Sequence, residues 1–156
     1  MQPDFVERIL RFMIGLLPAG LRARVHEGMI IGLVQFIRFA IVGFSGFTVD
    51  TLCVYAFRSS LGLYGAGMLA WFIAVGSNWM INRLWTFRGQ GGGSARAQFV
   101  RYALVNIVGF VLNRGAYVLM VTFVAVAAAE PILATATGAV AGMFANFFLS
   151  RALVFR

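Results

Sequence analysis

Between Phe39 and Leu149 the sequence holds four apolar runs, each about as long as a helix must be to cross a bilayer, and little else. The runs are Phe39 to Phe57, Leu63 to Ile81, Tyr102 to Val124 and Ile132 to Leu149. A segment in hydrocarbon must satisfy its own backbone N–H and C=O groups, which restricts such runs to helices. The expected fold class is an all-α integral membrane protein with four transmembrane helices. Composition agrees: 61% of residues are hydrophobic and only 12% charged, against about 45–50% apolar in soluble domains.

All 13 basic residues are arginine, and the net charge is +8. Most arginines stand at the ends of apolar runs, where they set orientation in a membrane, so no nucleic-acid partner is expected. Cys53 is alone inside an apolar run and His26 has no ligand partner near it in sequence. Neither a disulfide, a metal site nor a cofactor is expected.

The chain is internally repeated. Asn78-x4-Arg83-x3-Phe87-Arg88 returns as Asn146-x4-Arg151-x3-Phe155-Arg156, and Phe36-x-Arg38 returns as Phe99-x-Arg101. Continuing from the second match without a gap, Gly46 aligns with Gly109 and Asp50 with Asn113. Repeat 1 is 36–88 and repeat 2 is 99–156, joined by a glycine-rich loop, 89–98. Each repeat reads as a helical hairpin starting and ending on the arginine-rich side. The bias in arginine puts that side, with both termini, in the cytoplasm. Two hairpins of one orientation form a parallel repeat about an axis along the membrane normal.

Residues 1–35 form a separate N-terminal segment. From Asp4 to Leu17 the polar positions Asp4, Glu7, Arg8 and Arg11 share one helical face, and Pro18 stops the run. An amphipathic helix lying in the membrane interface is expected, with an apolar cap on the bundle as the alternative. Residues 19–27 read as a polar connection. Met29 to Ile37 is either interfacial or the start of the first spanning helix.

Three sets of residues are candidates for function. The first lies on stripes of small residues, Ala66, Ala70, Ala74 and Ala134, Gly138, Gly142, which continue into Asn78, Asn82 and Asn146. The small residues read as a close-packing seam. The amides in hydrocarbon need partners, either across the seam or in a polar cavity. The second set is Asp50, Asn113 and Arg114, placed about 16–18 Å into the bilayer by the helical rise. Asp50 and Arg114 are expected to pair or to share a polar cavity, because an unpaired charge there costs at least about 2.5–3.5 kcal/mol. The third set is the arginine belt, Arg38, Arg83, Arg88, Arg101 and Arg151, a candidate pocket for a lipid phosphate. Trp85 would stand at headgroup depth, as an interface anchor or a stacking surface. No nucleophile–base set or phosphate-cradling glycine loop is recognisable, so enzymatic activity is not expected.

The pattern Phe36-x-Arg38-Phe39-x-x-Val42-Gly43, Asp50, and Asn78-x3-Asn82-Arg83-x-Trp85-x-Phe87 resembles the GtrA-like family from about Phe36 to Arg156. The second copy departs from it: Ser150 stands for Asn82 and Leu153 for Trp85. The resemblance implies a bacterial inner-membrane protein of polyprenyl-phosphate sugar metabolism, free-standing or attached to a glycosyltransferase. It implies movement of a polyprenyl-phosphate-linked monosaccharide from the cytoplasmic to the outer leaflet for cell-surface polysaccharide synthesis. The alternative is a non-transporting adaptor that positions a glycosyltransferase partner. A small-multidrug-type exporter also has four helices, but this chain lacks the acidic residue early in the first. Four short helices leave little room for a headgroup path, so a homodimer or larger assembly is expected.

Overall fold

The computed structural model describes residues 3–156, apart from the side chains of Pro131 and Ile132. Met1 and Gln2, the start of the expected N-terminal segment, lie outside the described residues. All regular structure among the described residues is helical.

Helix α1 is Phe5–Gly15, capped by Asp4, whose side chain accepts from the backbone N–H of Glu7. A short α2, Ala19–Arg22, follows the stop at Pro18. Helix α3, Glu27–Ile81, is interrupted at Gly62 by a left-handed conformation, φ 67°. That backbone favours glycine, which lacks the Cβ that collides there. Gly46 and Asn78 are equidistant in sequence from Gly62, and they touch. The two arms of α3, 27–61 and 63–81, therefore fold back on each other as a hairpin. The early turns at Met29 to Ile37 are continuous with the first arm, so the boundary at 35/36 falls inside a helix.

The second hairpin is α4, Ala95–Phe123, and α6, Pro131–Leu149, joined through the short α5, Ala125–Ala129. Helix α4 begins inside the expected loop, because Ser94 caps it by accepting from the N–H of Ala97. Among the described residues, three helical stretches are long and apolar enough to cross a membrane: Glu27–Thr86, Ala95–Phe123 and Leu133–Val154. The first, at 60 residues, would be about 90 Å long if straight, about three times the hydrocarbon thickness.

Each hairpin ends in the same local structure. A π turn covers Asn82–Thr86 and another covers Ser150–Val154, at corresponding positions of the two halves. These turns aim Phe87 and Phe155 inward, where their rings stack at 4.5 Å and 13°. Phe39, Tyr102 and Phe147 complete an aromatic core around them. The small-residue stripe is buried as its spacing predicts: Ala66, Ala70 and Ala134 are fully enclosed. A Cβ on Gly138 would collide with the backbone of Asn113, and one on Gly142 would press on Gly109, so α4 and α6 approach closely at these glycines.

Helix α1 packs on the first arm of α3 through Leu10 against Ile30 and Val34. Arg11 links it to Glu27 by two hydrogen bonds, 2.8 and 2.9 Å. Phe5, Phe12 and Leu16 on the same helix are exposed.

Candidate functional site

The asparagines converge. A cavity of about 590 Å³ lies between the two hairpins, and Asn78, Asn82, Asn106, Asn113 and Asn146 all line it. Its other walls are aromatic and small, with Trp71, Tyr102 and Phe110 beside Gly43 and Gly109. Local structure explains the placement of the two central amides. Asn78 lies against Gly46 on the facing arm, and Asn146 lies against Gly109 on α4, so each amide occupies the space a side chain would otherwise fill. The same pairing occurs once in each half.

The amides are incompletely satisfied. Asn82 donates to the Tyr102 hydroxyl at 3.0 Å, and Asn106 donates to the Tyr102 carbonyl at 2.9 Å. The side-chain oxygens of Asn78, Asn82 and Asn146 are buried without a partner among the described residues. Buried polar atoms are nearly always paired, so three in one cavity leave acceptors open to a ligand or solvent. The arrangement combines amide donors and acceptors with flat aromatic faces, which suits a polyhydroxylated molecule.

The arginines do not form the single pocket expected of them. Arg83 donates to Oε1 of Gln98 at 2.6 Å, beside the Trp79 indole N–H, which donates to the same oxygen at 3.2 Å. Arg151 lies over Gly32 on the first arm of α3, and Arg101 is exposed. Arg83 reaches α4 of the second hairpin and Arg151 reaches the first arm of α3, so the belt is divided. Arg38 and Arg88 do share a smaller cleft, of about 300 Å³, with Trp85. There Arg38 pairs with Asp4 at 2.8 Å and lies over the Trp85 ring, 5.8 Å from its centroid. Trp85 is thus a partner of the N-terminal segment, donating to Asp4 at 2.8 Å.

The expected meeting of Asp50 and Arg114 is not found. Among the described residues the ion pairs are Arg11 with Glu7 and Glu27, and Arg38 with Asp4. Arg114 is exposed and its guanidinium lies 5.6 Å from the Phe110 ring centroid. Equal depth along two helices does not fix the direction of the side chains, and neither residue is among those that line the amide cavity. Asn113, the counterpart of Asp50, faces it.

Three contributors stand outside the sequence-derived set: Tyr102, Asn106 and Gln98. For Gln98 a signal existed. The aligned block extends one residue further, since Gln35 precedes Phe36-x-Arg38 as Gln98 precedes Phe99-x-Arg101, and both glutamines are buried. Asn106 aligns with Gly43 and carries no repeat signal.

Electrostatics tie α1 to this end of the bundle. Partial burial alone would raise the Asp4 pKa, but hydrogen bonds from Arg38, the Glu7 backbone and Trp85, with the Arg38 charge, hold it below its ordinary value of 3.8. A depressed carboxylate adds stability above its unfolded pKa and loses it as pH falls through the lower folded value. Acidification below about pH 4 should therefore loosen α1 from α3. Hydrogen exchange at Phe5–Gly15 should rise there and recover on return to pH 7, whereas Asp4→Ala should exchange fast at both.

A family described as GtrA/DPMS, transmembrane domain, matches residues 38–155. No curated protein matches the chain.

Proposed function

The chain belongs to the GtrA/DPMS transmembrane-domain family, and from that premise we propose that it translocates a polyprenyl-phosphate-linked monosaccharide across the membrane. Membership places it among membrane proteins of polyprenyl-phosphate sugar metabolism. The observation that carries the finer reading is the amide cavity, with three unpartnered side-chain oxygens and aromatic walls between the hairpins. Sugar hydroxyls both donate and accept, so amides pair with them at little desolvation cost, and the rings Trp71 and Phe110 on the cavity wall offer faces for the sugar's C–H surface.

In this reading the two arms of α3 cross the membrane as one hairpin and α4 with α6 as the other, giving four spans. The arginine-rich ends and both termini face the cytoplasm of a bacterial inner membrane. Helix α1 rests in the interface with Phe5, Phe12 and Leu16 toward lipid. The phosphate enters at the arginine-rich end, the sugar occupies the cavity, and the prenyl tail stays in lipid. No covalent bond is made or broken.

The test is transbilayer movement of a polyprenyl-phosphoryl hexose in proteoliposomes. Wild type should move it, and Asn78→Leu with Asn146→Leu should lower the rate at least about tenfold, the loss of roughly one buried hydrogen bond per site. Equal rates would remove the cavity from the mechanism. No movement of any hexose by folded wild type would sink the translocation reading and favour an adaptor that holds a glycosyltransferase.

A further inference from the structure

The cleft beside Arg38 contains an anion already, and it belongs to the chain itself. The Asp4 carboxylate receives Arg38 Nη2 at 2.8 Å and the Glu7 backbone N–H at 3.1 Å on one oxygen, and Trp85 Nε1 at 2.8 Å on the other. Yet the fit is partial. Arg38 Nε is buried without a partner, as are Thr86 Oγ1 and Gln35 Oε1 around the same cleft. Arg88 lines it with no ion pair among the described residues. Glu7, the other carboxylate on the rim, is held by Arg11 at 2.9 Å.

A carboxylate here engages one guanidinium nitrogen and leaves the adjacent Nε idle. A phosphate ester has further oxygens in tetrahedral array, and can take Nε and Nη2 side by side while reaching Arg88 and the Thr86 hydroxyl. About 300 Å³ of cleft remains beside Asp4 for it. We propose that this cleft is a phosphate-ester site and that Asp4, carried on α1, occupies it as a built-in competitor which the incoming phosphate displaces. The proposal rests on the translocation reading for the identity of the ester, and gives the phosphate end of the substrate its place. Asp4 and α1 lie before the residues that match the family, so the competitor stands outside the matched region.

Displacement is feasible because α1 has somewhere to go. It touches α3 through few buried side chains, chiefly Leu10, while Phe5, Phe12 and Leu16 are already exposed. A helix with that face can slide along lipid without uncovering a core.

The experiment measures binding of farnesyl phosphate to the full chain in nanodiscs, with farnesol and inorganic phosphate as separate arms. Asp4→Asn retains a good N-cap, so α1 stays helical. If Asp4 fills the cleft about nine-tenths of the time, Asp4→Asn should bind farnesyl phosphate about tenfold more tightly than wild type. The added substitution Arg38→Gln should abolish that gain. Farnesyl phosphate should also speed hydrogen exchange across Phe5–Gly15 in wild type. Farnesol should do neither, and inorganic phosphate acting alone would mark a site for free anion in place of a lipid headgroup, overturning the ester assignment. Unchanged or weaker binding by Asp4→Asn would show a purely structural ion pair and overturn the proposal. Because the readout is binding, a protein that shows Asp4 competition yet moves no lipid-linked sugar would refute translocation and leave this site standing.

Discussion

Phe87→Ala should remove most of the protein's tertiary stability. Phe87 is fully buried, stacked on Phe155 at 4.5 Å and on Phe147 at 6.2 Å, with Phe39 edge-on at 6.2 Å. Truncating a buried phenylalanine costs about 3–5 kcal/mol, from lost transfer energy and the cavity left behind. Aromatic pairing adds about 0.5–1.5 kcal/mol per pair. The π turn ahead of Phe87 ends with its N–H bonded to the Asn82 carbonyl at 2.8 Å, so the backbone cannot easily shift to refill the space. Thermal unfolding in detergent should show the loss. Phe123→Ala, which removes a ring 77% exposed at the end of α4, should stay within about 0.5 kcal/mol of wild type. A double-mutant cycle with Phe155→Ala should give strong coupling. Additive effects would mean that the stack does not join the halves.

The second large effect is expected on transport, with stability reduced less. A Cβ on Gly109 would overlap the carboxamide of Asn146, and a Cβ on Gly46 would overlap that of Asn78. The cheapest response is rotation of the amide, which takes its oxygen out of the cavity. Gly46→Ala and Gly109→Ala should each cost about 1–3 kcal/mol of stability and reduce movement of the lipid-linked hexose to near background. Gly43→Ala is the control: Gly43 lines the same cavity, but a Cβ there meets nothing within 4 Å. If all three alanines slow transport alike, lost volume is responsible and the amides are not.

How far the sequence foretold this arrangement depends on what kind of information it carries. Helix existence was legible, because apolar length and arginine punctuation are one-dimensional properties; Ile132 to Leu149 differs from α6 by one residue at its start. The break at Gly62 was legible as a boundary. The seam at Gly138 and Gly142 followed from spacing alone. Direction around the helix axis was not legible in the same way. Asp50 and Arg114 share a depth, but depth leaves the azimuth open, and Arg114 turned to Phe110. The arginine belt failed for a related reason: long side chains choose partners over several ångströms, and Arg83 found Gln98. The docking of Asp4 on Arg38 and Trp85 joins residues 81 positions apart, which no local pattern announces. The asparagines were legible as a group because an amide in a hydrocarbon stretch demands polar surroundings wherever it points, and they line one cavity.

The stack of Phe87 on Phe155 has a bearing on ancestry. These are corresponding residues of the two halves, and a contact between corresponding residues is the kind a symmetric pair of identical chains makes with itself. A lone hairpin ending in such a ring could have dimerised through it, and joining two copies by a glycine-rich tether then freed each from having to match the other. The present differences read as the outcome of that release. Asn82 and Tyr102 hold a hydrogen bond in one quadrant where their counterparts Ser150 and Phe39 hold none, and Asn113 stands where the first copy has Asp50. Fusion would thus have turned a doubled chamber into one whose two sides differ in their polar groups, able to tell the two faces of a ligand apart.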